Sequence, residues 1–261
     1  MTDSSPRDPS ELPFLAPCRD LPLLAPVAWL RRGWADLWAA PRQSLAFGLL
    51  TVLLSWLVSF SAWRFGNLGL YLGLVSGFVF VGPWLALTWY AISRRLEQTQ
   101  PVSLLAAVRD AGKAVRSALV FAVILVVVLL IWARAANTMY IFFPDTTNPS
   151  WSDLALFLTA GSAVGALFSA VIFAVSAFSL PMLMDREADA VTAVITSVHA
   201  VLRNKQALLL WALMIVAMVI VSALTAWLAF LVLMPWLGHA TWHAYRETIQ
   251  ADEWPLLGMS S

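Results

Sequence analysis

The chain has 261 residues, 61% of them hydrophobic and 12% charged, whereas a soluble domain carries roughly 25% charged residues, so lipid rather than water is its main solvent. A formal net charge of +1 with no dense basic tract argues against a nucleic-acid partner. The single cysteine, Cys18, excludes an intrachain disulfide and every multi-cysteine metal pattern.

Residues 1–26 hold Pro6, Pro9, Pro13, Pro17, Pro22 and Pro26, too many for a helix interior, and read as a flexible cytoplasmic tail. Leu15-Ala16-Pro17-Cys18 has the outline of a lipoprotein cleavage box, but the residues before it supply neither a basic start nor a long apolar run, so a plain tail is the reading. From Ala28 the period becomes helical. Leu30, Trp34, Leu37 and Trp38 share one face, and Arg31, Arg32 and Asp36 share the other, which predicts an amphipathic helix lying along the membrane surface. Arg42 closes it. Ser44 to Trp63 then runs without a charge, long enough to cross a hydrocarbon core of about 30 Å.

After a turn at Arg64 to Asn67, a second span from Leu68 to Ile92 carries Gly69, Gly73 and Gly77, a spacing that lets helices approach closely in lipid. It ends at Arg94 and Arg95. Pro101 and Ser103 open a second amphipathic helix, with Leu104, Val108, Ala111 and Val115 on one face and Arg109, Lys113 and Arg116 on the other. Ala118 to Trp132 is the third span. The loop from Ala135 to Asp153 includes Tyr140 to Pro144, which could dip into the interface. Leu154 to Met184 is a fourth span, longer than a membrane requires, with Gly161, Gly165 and Ser169 again four apart. Asp185, Arg186, Glu187 and Asp189 lead into a third amphipathic helix, with Val191, Val194, Ile195, Val198 and Leu202 inward and Thr192, His199 and Arg203 outward. The run from Ala207 to Ala244 would reach about 57 Å as one helix, so two spans with a turn near Ser222 to Thr225 are expected.

The expected fold class is an all-α polytopic membrane protein: six transmembrane helices in three repeats of an amphipathic interfacial helix plus a transmembrane hairpin. A 27–249 membrane domain contains repeats near 27–97, 103–187 and 189–249, followed by a cytoplasmic tail at 250–261. Two stretches echo each other most closely. Pro83-Trp84-Leu85 and Pro235-Trp236-Leu237 each meet an arginine eleven residues past the proline, Arg94 and Arg246. In the middle copy Pro181 meets Arg186 after five. Of sixteen Lys and Arg, only Arg64 and Arg134 fall outside in this topology, which puts both termini in the cytoplasm.

Chemistry is sparse. His239 and His243 are four apart on one helical face, a spacing that can chelate a metal or stack near a haem, and they are the candidate metal residues. Structural hydrogen bonding or interfacial anchoring is the plainer reading. A catalytic set is not legible, and no cofactor is required. Arg186 with its acidic neighbours could form a cluster beside the histidines or be solvated loop charge. No span holds a carboxylate, which lowers coupled transport and leaves passive permeation, lipid handling or a scaffold role. Trp63, Trp132, Trp211 and Trp242 read as an interfacial belt. Ser55, Ser59, Ser76, Thr88, Ser176 and Ser179 read as interhelical hydrogen bonds.

Phe178-Ser179-Leu180-Pro181-Met182-Leu183-Met184-Asp185-Arg186, then Ala190-Val191-Thr192-Ala193, and the ending Gly238 to Arg246, GHATWHAYR, resemble a bacterial family of integral membrane proteins of unknown function, some of whose members are labelled relatives of cytochrome c oxidase subunit I. The resemblance covers Pro22 to Arg246. It implies an inner-membrane protein with no established activity and no functional residues to carry over. Three histidines are too few to ligate two haems and a copper, so a respiratory link would run through an accessory or assembly role. The reading is therefore a non-enzymatic structural or accessory membrane component whose partners are the lipid bilayer and other membrane proteins. The alternative is uncoupled permeation through a cavity lined by Ser76, Thr88, Ser176 and Ser179.

Overall fold

The computed structural model describes residues 13–66, 68–139 and 150–258, with the side chains of 68–80, Met139 and Asp153 outside that description. Nine helices order these residues: α1 Ala25–Ala39, α2 Pro41–Phe65, α3 Leu68–Glu97, α4 Leu104–Met139, α5 Trp151–Ser176, α6 Ser179–Asp185, α7 Ala190–Arg203, α8 Lys205–Leu224 and α9 Phe230–Thr248. Among the described residues four helical stretches are long and apolar enough to cross a membrane: Pro41–Phe65, Leu104–Thr138, Leu154–Asp185 and Lys205–Leu224.

The breaks between helices have local causes. Pro41 opens α2 directly after α1 because its fixed φ suits a first helical turn and its missing N–H is not needed there. Nothing comparable stands at Ser117, so the second amphipathic segment and the third span are one helix, α4, which also extends past the expected loop start at Ala135. Tyr140 to Pro144 lie outside the described residues. The fourth span breaks at 177–178, since Pro181 cannot donate to the Ala177 carbonyl and its ring would crowd it. Ser197 repairs the gap, taking the Phe178 N–H at 3.0 Å and donating to the Ala174 carbonyl at 2.7 Å. The run from 207 to 244 turns at 225–229, just past the expected place. Ala226 and Trp227 take positive φ there, and the Thr225 hydroxyl accepts the Ala229 N–H.

Packing departs from the expected inward face of α7. Helix α7 buries Ala190, Thr192, Ala193, Thr196, Ser197 and Ala200, while Val191, Ile195 and Leu202, expected inward, are exposed. The first segment of α4 buries Ala107, Ala111, Ala114 and Ala118 and exposes Leu104 and Leu105. Helix α1 buries Ala25, Trp29, Gly33 and Leu37, leaving Trp34 and Trp38 outside. On α7 and the first segment of α4 small residues face protein and large aliphatic ones face outward, as helices do when lipid is the solvent and close backbone approach replaces the hydrophobic drive.

The best-buried part is a plate below the apolar spans. It consists of α1, α6, α7, the C-terminal ends of α3 and α9, the N-terminal ends of α2, α4 and α8, and the terminal segments, with Trp29, Trp89, Trp211, Trp242, Tyr245 and Trp254 in its core. Trp211 and Trp242, expected in an interfacial belt, are each 1% exposed; Trp63 and Trp132 are exposed. In contrast, only 22% of the residues in each spanning window are buried. The expected flexible tails are docked over their described parts. Arg19 N–H donates to the Thr248 carbonyl and Gln250 N–H to the Pro17 carbonyl, both at 2.8 Å. At the other end Glu187 N–H donates to Pro255 O and Leu257 N–H to Asp185 O.

Candidate functional site

Two polar networks share the plate, and α9 contributes to both. In the first, His239 is fully buried between α2 and α3. Its Nε2 lies 2.8 Å from Ser44 Oγ and its Nδ1 2.8 Å from Ser93 Oγ. Ser93 Oγ donates to Asp36 Oδ2 at 2.6 Å, and His243 Nε2 is 2.8 Å from the same oxygen. The directions follow by elimination. A carboxylate only accepts, so Ser93 spends its proton on Asp36 and must accept from His239 Nδ1–H. Nε2 of His239 is then bare and accepts the Ser44 proton, and His243 Nε2–H donates to Asp36. The chain runs Ser44 to His239 to Ser93 to Asp36, with His243 meeting it at the carboxylate.

Hydroxyl, imidazole and carboxylate in a row have the parts of a nucleophile relay. Ser44 is 0% and Ser93 1% exposed, however, and each hydroxyl proton is already committed within the row. The arrangement does what a satisfied buried network does: it fixes α1, α2, α3 and α9 in one register. The two expected metal residues are thus brought into one network through Asp36, and a metal on His239 would have to displace Ser44 or Ser93. Among the described residues no group of three or more His, Cys, Asp or Glu is placed to hold a metal ion.

The second network surrounds Asp185, 3% exposed at the end of α6. Arg186 Nε donates to its Oδ2 at 3.0 Å, and the Tyr245 hydroxyl at 2.9 Å. Arg246 Nη1 reaches Oδ2 at 3.4 Å, and Arg94 Nε lies 3.8 Å from Oδ1. Glu97 accepts from Arg246 Nε at 3.1 Å and from Trp242 Nε1 at 3.0 Å. Arg186 also holds the C-terminal segment, donating to Trp254 O at 2.9 Å and to Asp252 at 3.2 Å. The arginines that follow Pro83, Pro181 and Pro235 therefore converge on one carboxylate. Asp189 stays apart and caps α7. Partial burial works against its charge, but hydrogen bonds from the Thr192 hydroxyl and the Thr192 and Val191 amides hold its carboxyl below the usual range.

The expected hydroxyl set fares differently. Ser55, Thr88 and Ser176 donate to carbonyls of their own helices; Ser179, at the start of α6, donates back to the Val175 carbonyl of α5 across the break, and Ser59 accepts from Trp227 in the turn between α8 and α9. Ser76 lies outside the described side chains. Sequence reasoning missed Asp36, Ser44 and Ser93 as partners of the histidines. Asp36 falls on the predicted wet face of α1, and nothing in its spacing relates it to residues 57 and 207 positions away. Cys18 and His199 form a smaller pair at 3.4 Å, where burial pushes the thiol pKa up.

Residues 70–185 match the family described as predicted integral membrane protein (DUF2189). That stretch runs from α3 through α6. It includes Phe178 to Asp185 of the expected resemblance and stops short of the α9 ending, so it is narrower than 22–246. The description places the chain in a membrane and assigns no activity, in keeping with the four apolar spans. No curated protein and no solved structure matches the chain at significant similarity.

Proposed function

We propose that this is a non-enzymatic structural or accessory component of a membrane assembly in the bacterial inner membrane. In this reading six spans, counting α3 and α9, form three repeats of interfacial helix and hairpin, and both termini are cytoplasmic. The observation that carries the role is the contrast between plate and spans. The polar groups around His239 and Asp185 in the plate are committed to internal bonds, whereas the spans present open lateral faces. On α5, methyl groups added at Gly161 or Gly165 would meet nothing within 4 Å among the described residues, although small residues at that spacing suit close approach by another helix.

A photo-reactive side chain placed at Gly161 in native membranes tests this. A stoichiometric protein adduct, abolished when Gly165→Trp is combined with the probe at 161, supports the assembly role. Adducts to lipid alone, together with solute release from liposomes containing the purified protein, would overturn it in favour of uncoupled permeation. The permeation reading has less to draw on, because Thr88, Ser176 and Ser179 spend their hydroxyl protons on backbone carbonyls three or four residues earlier. An accessory role carrying haem or a transition metal at His239 and His243 has a separate readout. Absorbance or metal content retained by the wild type and lost in His239→Ala/His243→Ala would establish it.

A further inference from the structure

We propose that an anionic phospholipid binds at the base of α4, its phosphate on Arg116 and one acyl chain in the groove between α3 and α4. The groove has a volume of about 260 Å³ and is lined by apolar residues, among them Val81, Trp84 and Leu87 of α3 and Val115 and Leu119 of α4. It opens outward, with Val81 36% and Leu119 49% exposed. Pro83, inside α3, lies on its wall.

Charge identifies the headgroup. Arg116 is exposed and lies three residues before Leu119, so the two side chains share a helix face. Helical side chains lean toward the N-terminus, which carries the guanidinium below the groove while its stem lies along apolar surface. This is the boundary of the apolar span, since residues 117–133 are free of charge. The nearest acid on the helix is already taken: Asp110 accepts from Arg95 at 2.6 Å and lies 3.6 Å from Lys113. Arg116 itself joins no ion pair among the described residues. Arg42 and Lys205 share these properties at the first turns of α2 and α8, each exposed and each immediately before a charge-free run. Arg116 is the one of the three that lies beside the groove. An exposed guanidinium under a slot lined by apolar side chains matches a phosphate joined to an acyl chain, because phosphate accepts two parallel N–H bonds from arginine.

The test uses the full chain in mild detergent and compares phosphatidylglycerol, phosphatidylcholine and glycerol phosphate by native mass spectrometry and thermal melting. Phosphatidylglycerol should be retained at one copy per chain and raise the melting temperature. Arg116→Gln should weaken its binding about tenfold, and Leu119→Trp, which fills the groove, should also abolish the shift. Arg134→Gln, at the far end of the same helix, should leave binding unchanged and controls for charge alone. Equal retention by the wild type, Arg116→Gln and Leu119→Trp would overturn the proposal. So would an equal response to phosphatidylcholine, which would make the headgroup charge irrelevant, or to glycerol phosphate, which would leave no role for the chain.

Discussion

Ser93 illustrates how much one buried hydroxyl can hold. It accepts from His239 and donates to Asp36, so Ser93→Ala leaves an N–H and a carboxylate oxygen each short of a partner. The expected cost is about 1–3 kcal/mol, read from thermal or denaturant unfolding in detergent. Because the two side chains act through one bond, Ser93→Ala and Asp36→Asn should be non-additive by about 0.5–3 kcal/mol in a double-mutant cycle; simple additivity would mean the row is not a unit. Asp189 offers a pH readout. Its carboxyl is held below the usual range in the folded chain, so its stabilisation is complete above the ordinary carboxylate range and fades as pH falls through the lowered folded value. Asp189→Ala should cost about 0.5–2 kcal/mol at neutral pH and flatten that acid-side decline. An unchanged acid profile in the variant would show that other carboxylates carry it. At this scale the His239/His243 spacing was legible, because helix period alone brings i and i+4 together. Their partners were not, since they come from three other helices.

At the scale of elements, the sequence made helices easy to place and their faces easy to misjudge. Apolar run length located α2, the spanning part of α4, and α8, whereas the breaks at Pro41 and Asn204 that separate α1 from α2 and α7 from α8 are structural findings. The face of α7 follows from the water rule when large apolar side chains are set inward, as expected for Val191, Ile195 and Leu202. The opposite rule governs, because the alternative to protein contact for Val191 or Leu105 is outside the protein, where an apolar span meets lipid. Glycines then become informative by what they touch rather than by their spacing. A methyl group at Gly33 would sit 2.5 Å from the Ala240 backbone nitrogen, and one at Gly48 would strike the Leu231 carbonyl. Neither neighbour is a side chain that can turn aside. Gly33→Ala and Gly48→Ala should each destabilise by about 1–3 kcal/mol as α9 is pushed off α1 or α2. Gly161→Ala should instead be neutral or stabilising by up to about 1 kcal/mol, since helix propensity is all that changes there. Equal melting of all three variants would overturn the claim that α9 is seated on α1 and α2 by backbone contact.

For the whole molecule, the question is what keeps loosely packed spans in one arrangement when so little of each is buried. The plate supplies the answer, and Asp185 is its junction: Arg94 reaches it from α3, Arg186 from the segment after α6, and Arg246 and Tyr245 from α9. The echo of proline and arginine in the sequence pointed to these three arginines without indicating that they would meet. A helix-to-helix repeat fixes spacing along the chain, whereas the meeting point depends on how the copies pack. Asp185→Asn keeps the shape but leaves the arginines without the buried charge they share. Loss of a buried ionic partner costs about 3–5 kcal/mol, and the lower end applies because Arg246 is 38% exposed and retains Glu97. The loss should also loosen the C-terminal segment, which Arg186 anchors through Trp254 and Asp252, so limited proteolysis should cut within 250–258 sooner than in the wild type. Arg94→Gln should cost less, because its guanidinium stands 3.8 Å from the carboxylate and its Nη1 is bound to the Met184 carbonyl instead. A variant Asp185→Asn that melts like the wild type and resists protease equally would show that the junction is incidental and that helix contact alone sets the arrangement.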